Sequence, residues 1–302
     1  MEGKPLAEQI KGDIKTEVEN LRKATGLSPR LVGVLVGENK ASEIYLRTKE
    51  KTAGALGIAS EILRLPATLR QGELIELLRA LNQDETVDGI LVQLPLPSGF
   101  RVNEVVEAIA PAKDVDGFHP FNLGRILMNE PGLRPCTPAG IIYLLKHYGV
   151  ILEGQEVVVI GRSLIVGKPL AAMLTNENCT VTVCHTRTRD LAKVARRADI
   201  LVAAMGRPGF VGPDFVKEGA VVVDVGINYV SDPSLVSSLF GDDPRRLRDL
   251  EEKGYTLVGD IHPEAGDKAS LITPVPGGVG PLTVAMLMRN TLLAFKWRHQ
   301  LG

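Results

Sequence analysis

Tyr45-Leu46-Arg47-Thr48-Lys49 sets a phenol and an amine four residues apart, on one face of the segment if it is helical. A lysine so placed is a candidate proton carrier. The pair reads equally as a surface tyrosine and lysine. Asp88-Gly89-Ile90-Leu91-Val92-Gln93-Leu94-Pro95-Leu96-Pro97 ends an apolar run on a glutamine and a stiff turn. Ligands of open parallel sheets bind beyond the carboxyl ends of strands, so Gln93 is placed for a site, or else is a hydrogen-bonded core amide. Lys113-Asp114-Val115-Asp116-Gly117 offers two carboxylates in a loop. They are plain turn residues, or one of them reads an amidine-like pair of N–H groups on a heterocycle.

A second kind of chemistry is written from Glu156 to Pro169. Glu156-Val157-Val158-Val159-Ile160 predicts a strand, and Gly161-Arg162-Ser163 through Gly167-Lys168-Pro169 predicts a turn and a helix start. That geometry offers backbone N–H groups and the positive helix end to a phosphate. It is not a Walker A loop: five residues separate the glycines, and Pro169 stands where Ser or Thr would hold magnesium. It also departs from G-x-G-x-x-G, and two structural glycines in a plain turn would look similar. An NAD site places an acid near the end of the next strand to hold the ribose hydroxyls. Here that position holds His185-Thr186-Arg187. Arg162 and Arg187 can neutralise a 2′-phosphate, and Ser163 or Thr186 can donate to it, so the expected cofactor is NADP.

These residues must be held by regular elements. The run at 30–36 is apolar almost throughout, as in a strand covered on both faces. Helical spacing covers 6–25, 41–56 and 71–82, with Gly26 and Gly57 as stops, and further strands fall at 59–65 and 88–94. This βαβαβ rhythm predicts a parallel sheet with right-handed crossovers. Thr137 and Pro138 read as the N-cap and first residue of a helix reaching 148. A second series of strands is expected at 156–160, 180–184, 200–204, 221–225 and 256–258. The polar stretch 229–255 reads as a surface excursion with a short helix. Thr273 to Thr283 holds three prolines and three glycines in eleven residues. A helical pattern follows from 282 to about 298, so the run predicts a rigid loop against a ligand at a helix start. That trailing helix is expected to return to the first domain.

With 302 residues, two domains with separate cores are expected. A net charge of −1 supplies no basic field for nucleic acid or an acidic membrane, and aromatics are sparse for base stacking. No charged-then-apolar segment opens the chain, and no apolar run approaches the roughly 18 residues that span a bilayer. The three cysteines, Cys136, Cys179 and Cys184, lack zinc spacing, and the five histidines include no H-E-x-x-H pair, so no metal is expected. A reducing cytoplasm fits, with all three thiols buried.

Taken in order, the Tyr45 to Lys49 pair, Gly89 to Pro97, Lys113 to Gly117, Pro135-Cys136-Thr137-Pro138, Gly161 to Pro169 and Pro274 to Pro281 resemble the bifunctional methylenetetrahydrofolate dehydrogenase/methenyltetrahydrofolate cyclohydrolase (FolD) family. The resemblance runs from about residue 40 to the C-terminus. It implies an α/β fold of two three-layer αβα domains, the second a Rossmann-like NADP-binding domain, with a cleft between them. The expected domains are 1–138 plus 275–302 for folate and catalysis, and 139–274 for NADP. By the same resemblance Tyr45 packs on the folate aminobenzoyl group, Lys49 is the central catalytic residue, Gln93 supports it and Asp116 holds the pterin. Gly161, Arg162, Ser163, Thr186 and Ile227 line the NADP site, and Gly280 and Thr283 border folate and nicotinamide. Tetrahydrofolate derivatives are the implied substrates and a homodimer the implied assembly. Two stretches depart from the family pattern: 229–255 is longer than its usual loop, and 259–263 differs beyond the Gly259-Asp260 pair. Tyr-x-x-x-Lys also occurs in short-chain dehydrogenases, which leaves a carbonyl reductase, or an NADP-binding module without catalysis, as the competing readings. In short-chain enzymes that pair follows the nucleotide turn; here it precedes it by more than a hundred residues.

Overall fold

The computed structural model describes residues 1–301, the side chains of residues 40 and 41 excepted. The elements in order are α1 (Gly3–Thr25), β1 (Arg30–Val36), α2 (Lys40–Ala55), β2 (Ala59–Leu65), α3 (Gln71–Gln83), β3 (Gly89–Val92), α4 (Val102–Glu107), α5 (Pro120–Leu127), α6 (Cys136–His147), β4 (Glu156–Ile160), α7 (Gly167–Asn176), β5 (Thr180–Cys184), α8 (Leu191–Ala195), β6 (Ile200–Ala203), β7 (Val221–Asp224), β8 (Asn228–Val230), α9 (Pro233–Phe240), α10 (Pro244–Lys253), β9 (Thr256–Val258), β10 (Leu271–Ile272) and α11 (Val279–Arg298). They fall into two compact units. One comprises Ala7–Cys136 and the chain from Thr283 onward; the other comprises Met1–Leu6 and Thr137–Leu282. These limits differ from the expected ones at both ends. Residues 1–6 and 275–282 belong with the second unit, where Gly3 and Lys4 donate their N–H groups to Gly277 O.

In the first unit a parallel sheet runs in the order β2-β1-β3. β1 is central and buried from Leu31 to Val36, which is why its sequence is apolar without alternation. β2 is the edge, so it carries Ser60, Glu61 and Arg64. Val32, Val34, Ile90 and Val92 pack with Leu74 and Leu78 of α3 and Val105 of α4. On the opposite face Leu46 of α2 comes so close that a Cβ on Gly33 would lie 2.9 Å from its Cδ1. α11 is apolar on nearly every side and buries Met286, Leu287, Met288, Leu292 and Phe295. Its end is anchored by Arg298, which donates to the Asp88 carboxylate, Val87 O and Glu85 O, while Arg30 N donates to Asp88 at 2.8 Å.

In the second unit the parallel order is β10-β7-β6-β4-β5. Alternate residues of β4 separate the faces. Val157 and Val159 pack with Ile141 and Leu145 of α6 and with Leu170 and Leu174 of α7. Val158 and Ile160 pack with Ala195 of α8, Val216 and Ile261. The unit is therefore a three-layer α/β sandwich. Three details differ from the sequence expectation. α6 begins at Cys136, so Thr137 lies inside the helix rather than capping it. β9 pairs antiparallel with β8 in a separate ribbon, and the edge beside β7 is the two-residue β10, too short to leave a periodic signal. The excursion holds two helices, not one. Each starts at an Asp-Pro step: Asp232 accepts from Ser234 N, and Asp243 from Arg245 N and Arg246 N.

Removing Asp88 takes the carboxylate from the half-buried Arg298 guanidinium and the acceptor from the Arg30 amide. Asp88→Ala should lower the unfolding free energy by about 3–5 kcal/mol, read as a shift of the urea midpoint at constant m-value. An unchanged midpoint would show that α11 needs no such anchor.

Candidate functional site

In the first unit the predicted residues meet at the carboxyl end of the sheet. Gln93 follows β3 directly, and its N–H donates to Val34 O at 2.9 Å, one residue past the strand. Its Nε2 donates to Leu94 O at 2.8 Å, and its Oε1 accepts from Lys49 Nζ at 3.1 Å. A backbone carbonyl only accepts, so the first bond turns the amide oxygen toward the lysine. Lys49 lies in α2, whose N-cap Asn39 accepts from Ser42 N at 2.9 Å. Tyr45 stands one turn earlier on that helix, and both side chains are partly buried.

Asp116 joins this group electrostatically. Burial pushes its carboxyl up to about 6; the Lys49 charge pulls the other way, and Asp114 adds to the rise. The Asp116 loop is held on three sides. Asp114, buried, accepts from His119 N at 2.8 Å and Asn122 Nδ2 at 2.9 Å. Lys113 Nζ donates to the carbonyls of Leu81, Asn82 and Asp84 at the end of α3. Asn290 of α11 donates to Val115 O at 2.8 Å and to Arg134 O at 2.7 Å. Gly117 has φ +76°, and a Cβ there would sit 2.4 Å from the Arg134 carbonyl carbon, so only glycine fits. Lys113 and Asp114 thus prove to be scaffold, while Asp116 lies within electrostatic reach of Lys49. Asn290, missed from the sequence, carried no local signal, because its partners lie more than 150 residues away.

The second unit presents its site where β4, β5 and β6 end. Gly161 has φ +135°, its N–H donates to Cys184 O at 2.9 Å, and a Cβ would lie 2.2 Å from Ala204 O. A Cβ on Gly167 would lie 2.1 Å from Gly161 O. Both glycines are thus required by close backbone approach. Beside them opens a cavity of about 330 Å³ lined by Gly161, Arg162, His185, Thr186, Arg207 and Phe210, among others. Arg162 and Thr186 line it as expected. Ser163 and Arg187 do not; Ser163 Oγ instead accepts from Val166 N and Gly167 N and shapes the turn. No acidic side chain lines this cavity, so the donor set suits an anionic ligand, and nothing repels a 2′-phosphate. Arg207, which stacks 3.9 Å from the Phe210 ring centroid, is a cation that sequence reading missed. Its signal was only that it follows a strand. The turn that carries it is held by Asp260, fully buried, which accepts from the N–H groups of Met205, Gly206 and Arg207. Ile227 is 39% exposed past the end of β7, and a Cβ on Gly280 would be 3.5 Å from its Cδ1. Gly280 belongs to the second unit and Thr283 to the first.

One competing reading is weakened by this placement. A short-chain reductase needs its Tyr-Lys pair in the nucleotide domain, but Tyr45 and Lys49 belong to the first unit and the glycine turn to the second. Among the described residues no cluster of three or more His, Cys, Asp or Glu is placed to hold a metal ion, and no helix is long and apolar enough to cross a membrane.

Comparison with known proteins gives one answer along the whole chain. Residues 1–116 match the catalytic domain of tetrahydrofolate dehydrogenase/cyclohydrolase, and residues 135–299 match its NAD(P)-binding domain. The bifunctional protein FolD of Koribacter versatilis is 51% identical over 299 residues, which cover 99% of this chain and 97% of that one. The crystal structure of the FolD methylenetetrahydrofolate dehydrogenase/cyclohydrolase of Campylobacter jejuni superposes with a TM-score of 0.88 at 43% identity, covering 98% of each chain. The FolD of Trypanosoma brucei, solved with NADP cofactor and an inhibitor, gives a TM-score of 0.88 at 39% identity, covering 98% of this chain and 97% of that one. The two halves, each with its own parallel sheet and its own polar cluster, are those of one enzyme architecture, and the chain belongs to the tetrahydrofolate dehydrogenase/cyclohydrolase family.

Proposed function

We infer that this chain oxidises 5,10-methylenetetrahydrofolate to 5,10-methenyltetrahydrofolate with NADP and then hydrolyses the product to 10-formyltetrahydrofolate, in one-carbon folate metabolism. The observation that carries the reading is the Lys49 Nζ to Gln93 Oε1 hydrogen bond beside Asp116, in a chain whose two halves match the two domains of this family. NADP, when bound, supplies the hydride acceptor. Loss of hydride from the methylene bridge leaves a cation shared by two nitrogens and releases no proton, so that step asks the protein for alignment rather than a base. Addition of water to the cation and ring opening release one proton in net, and Lys49 is the group assigned to move it. Gln93 orients the amine by accepting one N–H. Asp116 reads the pterin N–H groups, and Tyr45 packs on the aminobenzoyl ring. Gly161, Arg162, Ser163, Thr186 and Ile227 form the NADP site, Ser163 by shaping its turn, with Gly280 and Thr283 beside the reacting ends. The folate domain is assigned to 1–138 plus 275–302 and the NADP domain to 139–274. A cytoplasmic homodimer that binds neither nucleic acid nor membrane completes the assignment.

A spectrophotometric assay with 5,10-methylenetetrahydrofolate and NADP or NAD tests the whole reading; no turnover with either cofactor would sink it. Lys49→Met should reduce methenyltetrahydrofolate hydrolysis by about 10²–10⁴-fold and leave folate and NADP binding in place. Hydrolysis at the wild-type rate would remove Lys49 from the mechanism. Arg162→Ala should weaken NADP by about 1.5–3 kcal/mol and NAD far less; equal losses would show that Arg162 does not read the 2′-phosphate.

Asp116 gives a pH signature. Its folded pKa of about 6 lies above the unfolded value, which is about 3.9. Between these pH values the folded chain keeps a proton that the unfolded chain has lost. This group's contribution to stability is therefore complete below the window and is lost as pH rises through 6. Folate binding should run the opposite way, because only the ionised carboxylate accepts from two N–H groups. Folate affinity should rise as pH passes 6 in the wild type and be weaker and flat in Asp116→Asn, with NADP affinity unchanged. The same pH profile in both proteins would make Asp116 a turn residue only.

A further inference from the structure

The excursion between β8 and β9 makes a contact that the function above does not use. β8, α9, α10 and β9 enclose a small core of Val230, Val236 and Val258. Arg246 of α10 lies at its margin. Its guanidinium carbon is 3.6 Å from the Phe240 ring centroid, Nη1 donates to Leu257 O at 2.6 Å, and Nη2 donates to Val275 O at 3.3 Å. Burial lowers the pKa of this guanidinium, so its bonds are made in a poorly hydrated setting where charge-assisted contacts are strong. Val275 belongs to the 273–278 loop between β10 and α11. That loop leaves β10 at the carboxyl end of the parallel sheet, the end at which Gly161 follows β4 and Thr186 follows β5. Elsewhere the loop is tied by Thr273 N to Val222 O at 3.1 Å, Gly278 N to Pro274 O at 2.9 Å, and Gly3 N to Gly277 O at 2.9 Å. Arg246 alone among these anchors comes from the excursion.

We propose that Arg246 is a positioning residue that makes the excursion a brace for the glycine loop, setting the loop against the end of the cofactor that exchanges hydride. This rests on the reading above in which Gly280 and Thr283 stand beside the reacting ends of folate and cofactor. A fork with two parallel donors suits the role, because a planar guanidinium fixes two carbonyls at once. Phe240 holds the plane. Loss of the brace frees the loop without touching Arg162 and Thr186, which read the other end of the dinucleotide. The brace therefore acts on the rate of hydride transfer and not on cofactor affinity.

The test compares wild type, Arg246→Met, which keeps a long apolar stem over Phe240 and deletes the donors, and Arg246→Lys. Amide exchange of the 273–283 segment is measured without ligand. NADP affinity is measured by fluorescence titration, and kcat for NADP-dependent oxidation of methylenetetrahydrofolate by absorbance. Arg246→Met should speed exchange at 275–280, lower kcat by about tenfold to a hundredfold, the scale of a displacement near 1 Å, and leave the NADP Kd within about twofold, well under the loss of one charge-assisted bond. Arg246→Lys should recover part of both the exchange protection and kcat. Unchanged exchange and kcat in Arg246→Met overturn the proposal. So do equal losses in exchange at the 161–167 turn, NADP affinity and kcat, which would mark Arg246 as a general stability residue. If Arg246→Met does not fold, Arg246→Lys carries the test: one ammonium cannot serve both carbonyls in one plane, so wild-type exchange and kcat would overturn the brace. A wild type that oxidises no folate overturns the functional reading instead, and the ligand-free exchange comparison still decides whether Arg246 holds the loop.

Discussion

Backbone N–H groups just beyond the carboxyl ends of parallel strands have no ladder partner, yet a binding surface must be built from them. In this protein buried aspartates accept them. Asp260 takes the amides of Met205, Gly206 and Arg207 after β6. Asp224 takes those of Gly226, Asp260 and Ile261. Asp114 takes His119 N in the loop that carries Asp116. The two carboxylates of the second unit lie close together, and burial, with the Asp260 charge adding to it, pushes Asp224 up to about 7, against the pull of its backbone donors. Their packing explains two glycines. A Cβ on Gly259 would lie 1.9 Å from Asp224 Oδ2, and one on Gly226 would lie 2.4 Å from Asp260 Oδ1.

That scaffolding leaves few groups free for chemistry, and few are needed. Hydride transfer to a dinucleotide asks for a held geometry, which two close-approach glycines and a carboxylate-pinned turn supply in the second unit. The first unit presents one amine with a defined orientation, Lys49, held by its bond to Gln93. Gln93 is suited to that duty because it is neutral. A carboxylate in its place would bind the ammonium more strongly and oppose release of its proton. Burial pushes the carboxyl of Asp116, the nearby acid, up to about 6, so it is still largely ionised at neutrality.

The excursion shows how a segment can be added to such a unit without disturbing it. It encloses a small core of Val230, Val236 and Val258, and its two Asp-Pro helix starts are capped within the segment itself. The ribbon it grows from enters and leaves next to Ile227 and Gly259. Arg246 connects the addition to the glycine loop.

The sequence by itself determined the two α/β series and most strand positions. Buried parallel strands must be apolar throughout, and turns under a phosphate must be glycine, so both leave marks in consecutive letters. The candidates Gln93 and Asp116 were legible because one ends an apolar run and the other sits in an acidic turn, and Lys49 because it stands at helical spacing from Tyr45. What only the tertiary structure decided depends on contacts between distant letters. It placed Arg207 and Phe210 in the cavity and left Ser163 to shape its turn. It gave Asn290 to the Asp116 loop, Asp260 to the turn after β6 and Arg246 to the glycine loop, and it moved β9 out of the sheet in favour of the two-residue β10. A hydrogen bond across fifty or a hundred and fifty residues imposes no spacing on the chain between its partners, so it leaves no period to read and is settled only when the fold brings the partners together.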